Sequence, residues 1–362
     1  MTKSAKHLLV ASTEAHSGKS ATISGIIHLA LKQQITVAYG KPLGTCLSDR
    51  CEDIVDKDID LLTNILGLSA DLVQPPLLSL NREIIDRRLR GEDTQDYSQA
   101  MKEYMNHREA DLVVLEGPGN LWEGSLFNLS VPEIAEITDA SILLVASYDS
   151  LLLAASLMAA KKFLGDRLLG VVINNIPADE WEETHNTLKP YLESQNIPVL
   201  GVMPHDSLLN SVSVREIAKR LNAKVLCCAE HLDWMVESLS IGAMNVNSAL
   251  GFFRQRENMA VITGGDRTEL QMAALETSTH CLILTGRIPP QPLIINRAED
   301  LEIPIIAVDS DTLTTVEIVD NAFGKVPIAE PIKVEQVRNL ITKHFEINRL
   351  LKFLGLESAI SV

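Results

Sequence analysis

The sequence predicts an α/β protein: a three-layer domain on a mainly parallel sheet, then a smaller α/β domain and a C-terminal helix. Two observations lead there. Short β-branched or leucine-rich runs alternate with helix-length segments, which is the pattern of a parallel sheet covered on both faces. The first run also passes through Ser12-Thr13-Glu14-Ala15-His16-Ser17-Gly18-Lys19-Ser20 directly into a helix-forming segment, which reads as a strand, a phosphate-cradling loop and a helix.

In chain order, Leu8–Val10, Thr36–Tyr39, Leu112–Leu115, Ser141–Ala146, Leu169–Ile173 and Val199–Val202 are expected as buried strands of the first domain, with a helix from Ala21 to Lys32. Met203-Pro204-His205-Asp206 closes that unit, and the polar stretch from Ser207 to Ser213 leads onward. The expected domains are therefore 1–212, 213–330 and 331–362. A helical pattern from Val214 to Ala223 hands over to a second set of strands, Lys224–Cys228, Met259–Thr263, Cys281–Leu284 and Ile303–Val308. From Lys333 to Leu351, Val334, Val337, Ile341 and Phe345 recur at helical spacing. That face either packs on its own domain or makes a two-fold contact between copies.

Composition narrows the function. At 362 residues, 46% hydrophobic and 22% charged, with mean hydropathy +0.10, the chain can build two cores and is not disordered. Its 32 basic and 48 acidic residues give a net charge of −16, which repels nucleic acid and anionic membranes. No run approaches the roughly 20 apolar residues of a membrane span. Cys46, Cys51, Cys227, Cys228 and Cys281 have no zinc spacing and are odd in number, and no signal peptide leads the chain. Reduced thiols in the cytoplasm are the simplest reading.

Gly18-Lys19-Ser20 at a helix start aims consecutive backbone N–H groups and the positive end of the helix dipole at one point, with a lysine beside them and a hydroxyl behind. That suits phosphate. The customary first glycine of such a loop is missing, since only Ser12 and Thr13 stand in its place. Other candidates leave the ends of neighbouring runs, where open α/β sheets place ligands. Lys41 follows the second run, Glu116 closes the Leu112–Leu115 run as a metal-facing acid, and Asp58 is a third metal-site candidate. His16 could touch a terminal phosphate, although a lone loop histidine is ordinarily solvated.

These residues, with Gly170-Val171-Val172-Ile173-Asn174-Asn175 and Leu200-Gly201-Val202-Met203-Pro204, occur in an order that resembles the dethiobiotin synthetase family of P-loop proteins over about the first 210 residues. The resemblance implies that Lys19 and Lys41 contact phosphates and substrate, that Ser20, Asp58 and Glu116 hold magnesium, that Asn174 reads a purine base, and that Thr45 is a substrate-side hydroxyl. Ser12, Thr13, His16, Ser17 and Gly18 complete the implied nucleotide loop. Where the synthetases carry Gly-Thr-Asp-Thr-Glu-Val ahead of Gly-Lys-Thr, this chain has Ser12-Thr13-Glu14-Ala15-His16-Ser17.

In the second half, Thr263-Gly264-Gly265-Asp266-Arg267-Thr268-Glu269 follows a run and opens a helix. One reading is a well-made helix start with Asp266 as cap and Glu269 closing a capping box. The other is a second ligand site formed by Gly264, Gly265, Asp266, Arg267 and Thr268, with helix N–H groups and a guanidinium for an anion. With Ile241-Gly242-Ala243-Met244, Leu284-Thr285-Gly286 and Asp311-Thr312, this stretch resembles the DRTGG domain. The two modules together resemble the N-terminal regulatory region of long phosphotransacetylases, without the roughly 300 residues of an acetyltransferase domain. The resemblance implies a cytoplasmic regulatory protein that binds ATP or ADP with magnesium and dimerises or senses a small ligand through its DRTGG domain, beside a metabolic-enzyme partner. The alternative is an ATP-dependent ligase or carboxylase-like enzyme that works through Lys19 and Lys41.

Overall fold

Strands that are apolar on both faces need cover on both sides, and the first of two units in the computed structural model is built that way. The structure describes residues 5–45, 67–104, 110–242, 246–324 and 330–356. Unit one comprises Met1–His205 together with Ala329–Val362, and unit two comprises Asp206–Ile328.

Nine strands lie among the described residues of unit one: β1 (Lys6–Ser12), β2 (Val37–Gly40), β3 (Leu43–Thr45), β4 (Val73–Gln74), β5 (Leu78–Leu80), β6 (Leu112–Glu116), β7 (Ser141–Ser147), β8 (Leu168–Ile176) and β9 (Val199–Pro204). Seven of them form one parallel sheet in the order β4-β2-β6-β1-β7-β8-β9. The pair β3 and β5 stands apart. The six runs expected as strands are all present in the sheet. The short strands β3, β4 and β5 escaped the sequence reading because two or three residues carry no periodicity.

One side chain set along these strands, including Leu9, Ala11, Val113, Leu115, Ile142 and Leu144, packs against helices that contribute Met101, Ile134, Leu153, Leu157 and Leu192. The opposite face is covered by α1 (Lys19–Lys32) and by helix Pro331–His344. These two helices meet at Gly25, where an added Cβ would lie 2.4 to 2.6 Å from Ile341 side-chain atoms, Cβ included. Val334, Val337, Ile341 and Phe345 are all buried. The apolar face expected as a two-fold contact is thus occupied inside the chain, by the first unit.

The expected single terminal helix is two helices, Pro331–His344 and Ile347–Leu354. Phe345 separates them in extended backbone (φ −112°, ψ 132°). It bridges Gly201 of β9, and the next residue, Glu346, donates its N–H to the Leu200 carbonyl at 2.7 Å. Ionic ties hold the second helix: Arg349 grips Glu193 through two 2.8 Å bonds, and Lys189 meets Glu346 at 2.7 Å. Arg349 first, then the Val199 N–H and Lys189, draws the Glu193 carboxyl below its usual range.

Unit two carries β10 (Val212–Ser213), β11 (Lys224–Cys227), β12 (Met235–Val236), β13 (Ser238–Ile241), β14 (Met259–Gly264), β15 (Thr279–Thr285) and β16 (Ile305–Ala307). Five make a mixed sheet, β11-β16-β15-β14-β13, in which β11 runs antiparallel to β16 and the others are parallel; β10 and β12 pair separately. Helices Val246–Phe253, Thr268–Leu275 and Pro292–Asp300 cover one face through Phe253, Leu270 and Ile294. Helices Val214–Arg220 and Thr312–Asp320 cover the other through Ile217 and Val319. Cys227, Cys228 and Cys281 are unpaired and buried here. Burial raises all three thiols, Cys228 to about 12, so they are inert at neutral pH.

The contact of α1 with the Pro331–His344 helix gives a stability test. Gly25→Ala gains about 1 kcal/mol of helix propensity but drives a Cβ into the Ile341 Cβ, which no rotamer change relieves; overpacking of this kind costs about 1 to 3 kcal/mol. A lower urea midpoint is expected, and the cost of Gly25→Ala should shrink but not vanish when measured in the Ile341→Ala background, which removes both γ carbons and keeps the Cβ.

Candidate functional site

The turn out of β1 is set by Gly18, whose backbone is left-handed (φ 96°). An added Cβ would also displace the Asn174 amide, so any other residue there is strained in its backbone and crowds that side chain. α1 begins at Lys19, and its first intrahelical bond runs from the Thr22 N–H to the Gly18 carbonyl at 2.9 Å. No side chain caps this end, and no acid stands in its first turn. The positive end of the helix dipole therefore faces the loop with no acid of the helix itself to offset it. Ser17 Oγ is buried and has no hydrogen-bond partner among the described residues, which in a buried hydroxyl calls for an explanation.

Lys19 is buried and donates to Ser12 Oγ at 2.7 Å. Ser12 Oγ in turn reaches the Glu14 and Gly119 carbonyls at 2.7 and 3.1 Å. Burial lowers the Lys19 pKa, and Lys41 adds to that, against the opposing pull of Glu116 and Glu123. Glu116 ends β6, beside Val10 of β1, and is buried. Its carboxylate accepts from Ser20 Oγ at 3.2 Å on one oxygen and from the Tyr39 hydroxyl at 2.8 Å on the other, with Lys41 Nζ 3.5 Å away. Burial pushes its pKa up. Lys41, the Tyr39 hydroxyl, Lys19 and Ser20 together outweigh that and hold it below the usual carboxylate range.

The structure thus brings Ser12, Ser17, Gly18, Lys19, Ser20, Lys41 and Glu116 to one end of β1, β2 and β6. Thr13 is half-buried in the same loop, and His16 is exposed in left-handed backbone (φ 60°). Thr45 ends β3, and Asp58 lies outside the described residues. Asn174, at the end of β8, donates to the Ser17 carbonyl at 3.0 Å.

Two contributors were missed in the sequence. Tyr39 fixes one oxygen of Glu116, and only its place two residues before Lys41 hinted at it. Glu123 accepts the Gly119 N–H and faces Lys19; its loop carried no motif. Chemically, the site offers uncapped helix N–H groups and two ammoniums to an anion. It also offers a hydroxyl and a carboxylate converging as all-oxygen donors, which fits magnesium with phosphate oxygens and water completing the shell. Among the described residues no three His, Cys, Asp or Glu gather as a self-sufficient metal cage.

In unit two, helix Thr268–Leu275 is capped at Arg267 with no side-chain bond. The expected capping box from Asp266 and Glu269 is not formed, because the chain makes one more turn before the helix and places Arg267 at the boundary, with its N–H on the Gly264 carbonyl at 3.1 Å. Gly265 has a packing reason: a Cβ there would lie 1.9 Å from the Ile288 carbonyl oxygen. Asp266 and Arg267 are exposed, and Gly264 and Thr268 are half-buried.

Comparison with known proteins matches residues 6–213 to an AAA domain and residues 216–322 to the DRTGG domain. The phosphate acetyltransferases of Nitratidesulfovibrio vulgaris and Synechocystis are each 26% identical, over 95% and 96% of this chain and 51% of their own length. The chain spans about half the length of the curated relatives it matches. Among solved structures, the CBS and DRTGG domains of the Clostridium perfringens pyrophosphatase regulatory region, in complex with diadenosine tetraphosphate, align at 20% identity and TM-score 0.30, covering 54% of this chain and 83% of that one. No helix among the described residues is long and apolar enough to cross a membrane. With a P-loop turn between β1 and α1 and a match across more than half of its length, the chain belongs to this AAA-domain family and carries a DRTGG domain after it.

Proposed function

We propose that the protein is a cytoplasmic nucleotide-binding regulatory protein: unit one takes ATP or ADP with magnesium, and the DRTGG unit dimerises the chain or senses a small ligand. One observation carries the reading, the convergence of Lys19, Ser20, Lys41 and Glu116 on the uncapped start of α1. Lys19 would lie along the terminal phosphates, Ser20 and Glu116 would share the metal, and Lys41 would balance remaining negative charge. Likeness to one half of phosphate acetyltransferases supports a metabolic enzyme as partner. The exposed Asp266 and Arg267 beside an uncapped helix support a ligand role for the second unit.

A second reading, an ATP-dependent ligase or carboxylase-like enzyme, is favoured by Lys41. Its ammonium is partly exposed beside Glu116, where it can reach a second substrate as well as a phosphate. Under this reading a carboxylate or amine metabolite stimulates phosphate release, and Lys41→Ala abolishes the stimulation. Release unaffected by a metabolite panel leaves the regulatory reading.

Equilibrium binding of labelled ATP with magnesium tests the main reading; no binding at millimolar nucleotide sinks it. Lys19→Ala is expected to stay folded and to lose about 1.5 to 3 kcal/mol of affinity, the scale of a charged hydrogen bond. Glu116→Gln keeps shape and removes charge. It should weaken magnesium-dependent binding more than binding measured in chelator, whereas equal losses place Glu116 away from the metal.

A further inference from the structure

The resemblance to dethiobiotin synthetases would have Asn174 reading a purine base; in the structure one of its amide's two N–H donors is committed to the loop. Nδ2 donates to the Ser17 carbonyl at 3.0 Å. The backbone behind it is fixed: Asn174 is in register with Ser147 of β7, and its own carbonyl accepts the Tyr148 N–H at 2.7 Å. A rigid sheet edge therefore holds one carbonyl of the loop. A peptide unit is planar, with its C=O and N–H pointing opposite ways. Anchoring the Ser17 oxygen on Asn174 consequently turns the Gly18 N–H away from Asn174. Gly18 sits in left-handed backbone and leaves no room for a Cβ beside Nδ2, so glycine and amide occupy the space of one side chain. Next to them lies the buried, unpartnered Ser17 hydroxyl.

We propose that Asn174 is a positioning residue for the loop: it acts on bound phosphates through the Ser17–Gly18 peptide, and it sets affinity for the polyphosphate whatever that polyphosphate is attached to. The inference rests on the nucleotide reading of the site and gives it a ligand class, the polyphosphate chain.

The experiment titrates the full chain, in magnesium, with ATP, GTP and inorganic tripolyphosphate. Asn174→Ala is expected to weaken all three by one common factor of about tenfold, the scale of a lost hydrogen bond, with the ATP-to-GTP ratio unchanged. Asn174→Asp keeps the shape but sets an acceptor against the Ser17 carbonyl, and should weaken all three further and equally. A loss confined to ATP, or a changed ATP-to-GTP ratio, assigns Asn174 to the base and overturns the proposal. So do unchanged affinities in both variants, and so does a lowered melting temperature of the unliganded variants with affinities of the folded protein retained, which marks a purely structural residue. A wild-type chain that binds tripolyphosphate and ATP while the variants behave like it defeats only this inference; a wild-type chain that binds none of the three defeats the nucleotide reading, and this inference with it.

Discussion

A carboxylate buried at the end of a central strand has to be neutralised, and unit one is arranged around that requirement at Glu116. Two lysines, a phenol and a serine hydroxyl surround it from β2, the residue that follows β2 and the first turn of α1. These contacts tie the end of β6 to β2 and to α1 through the site itself. Their hold is uneven. Lys19 is buried and tied to Ser12, whereas Lys41 keeps a side-chain exposure of 28%.

The second constraint is cover for the sheet. One face is served by helices that follow the strands in sequence, as in any α/β crossover. The other is completed by residues that return after the whole of unit two, with Gly25 conceding the volume that Ile341 needs. The Phe345 break is part of the same arrangement: an extended residue against Gly201 lets the chain bond β9 before it turns helical again. The apolar stripe that suggested association between copies is thus part of a core within the chain.

Unit two shows how a motif divides between packing and exposure. Gly265 is demanded by the Ile288 carbonyl, while Asp266 and Arg267 remain at the surface of the same turn. Glycines in such a loop are usually taken to let a ligand approach; here one of them lets the chain's own backbone approach. The charged pair beside it has no packing duty of this kind.

By itself the sequence determined the longer strands of the first domain, the parallel first sheet and the loop that holds Gly18, Lys19 and Ser20, because these follow from local periodicity and from a turn whose left-handed backbone favours glycine. Lys41 and Glu116 were legible for a related reason: both leave strand ends, and strand ends of a parallel sheet share one side. Tyr39, Glu123 and the engagement of Asn174 with Ser17 were not, since each depends on which strands become neighbours, and β2 and β8 reach β1 only through β6 and β7. The same holds for the terminal helices. Periodicity marks Val334, Val337, Ile341 and Phe345 as a buried face, but an apolar face carries no address, and only the tertiary structure decides that α1 and β9 are what it buries against.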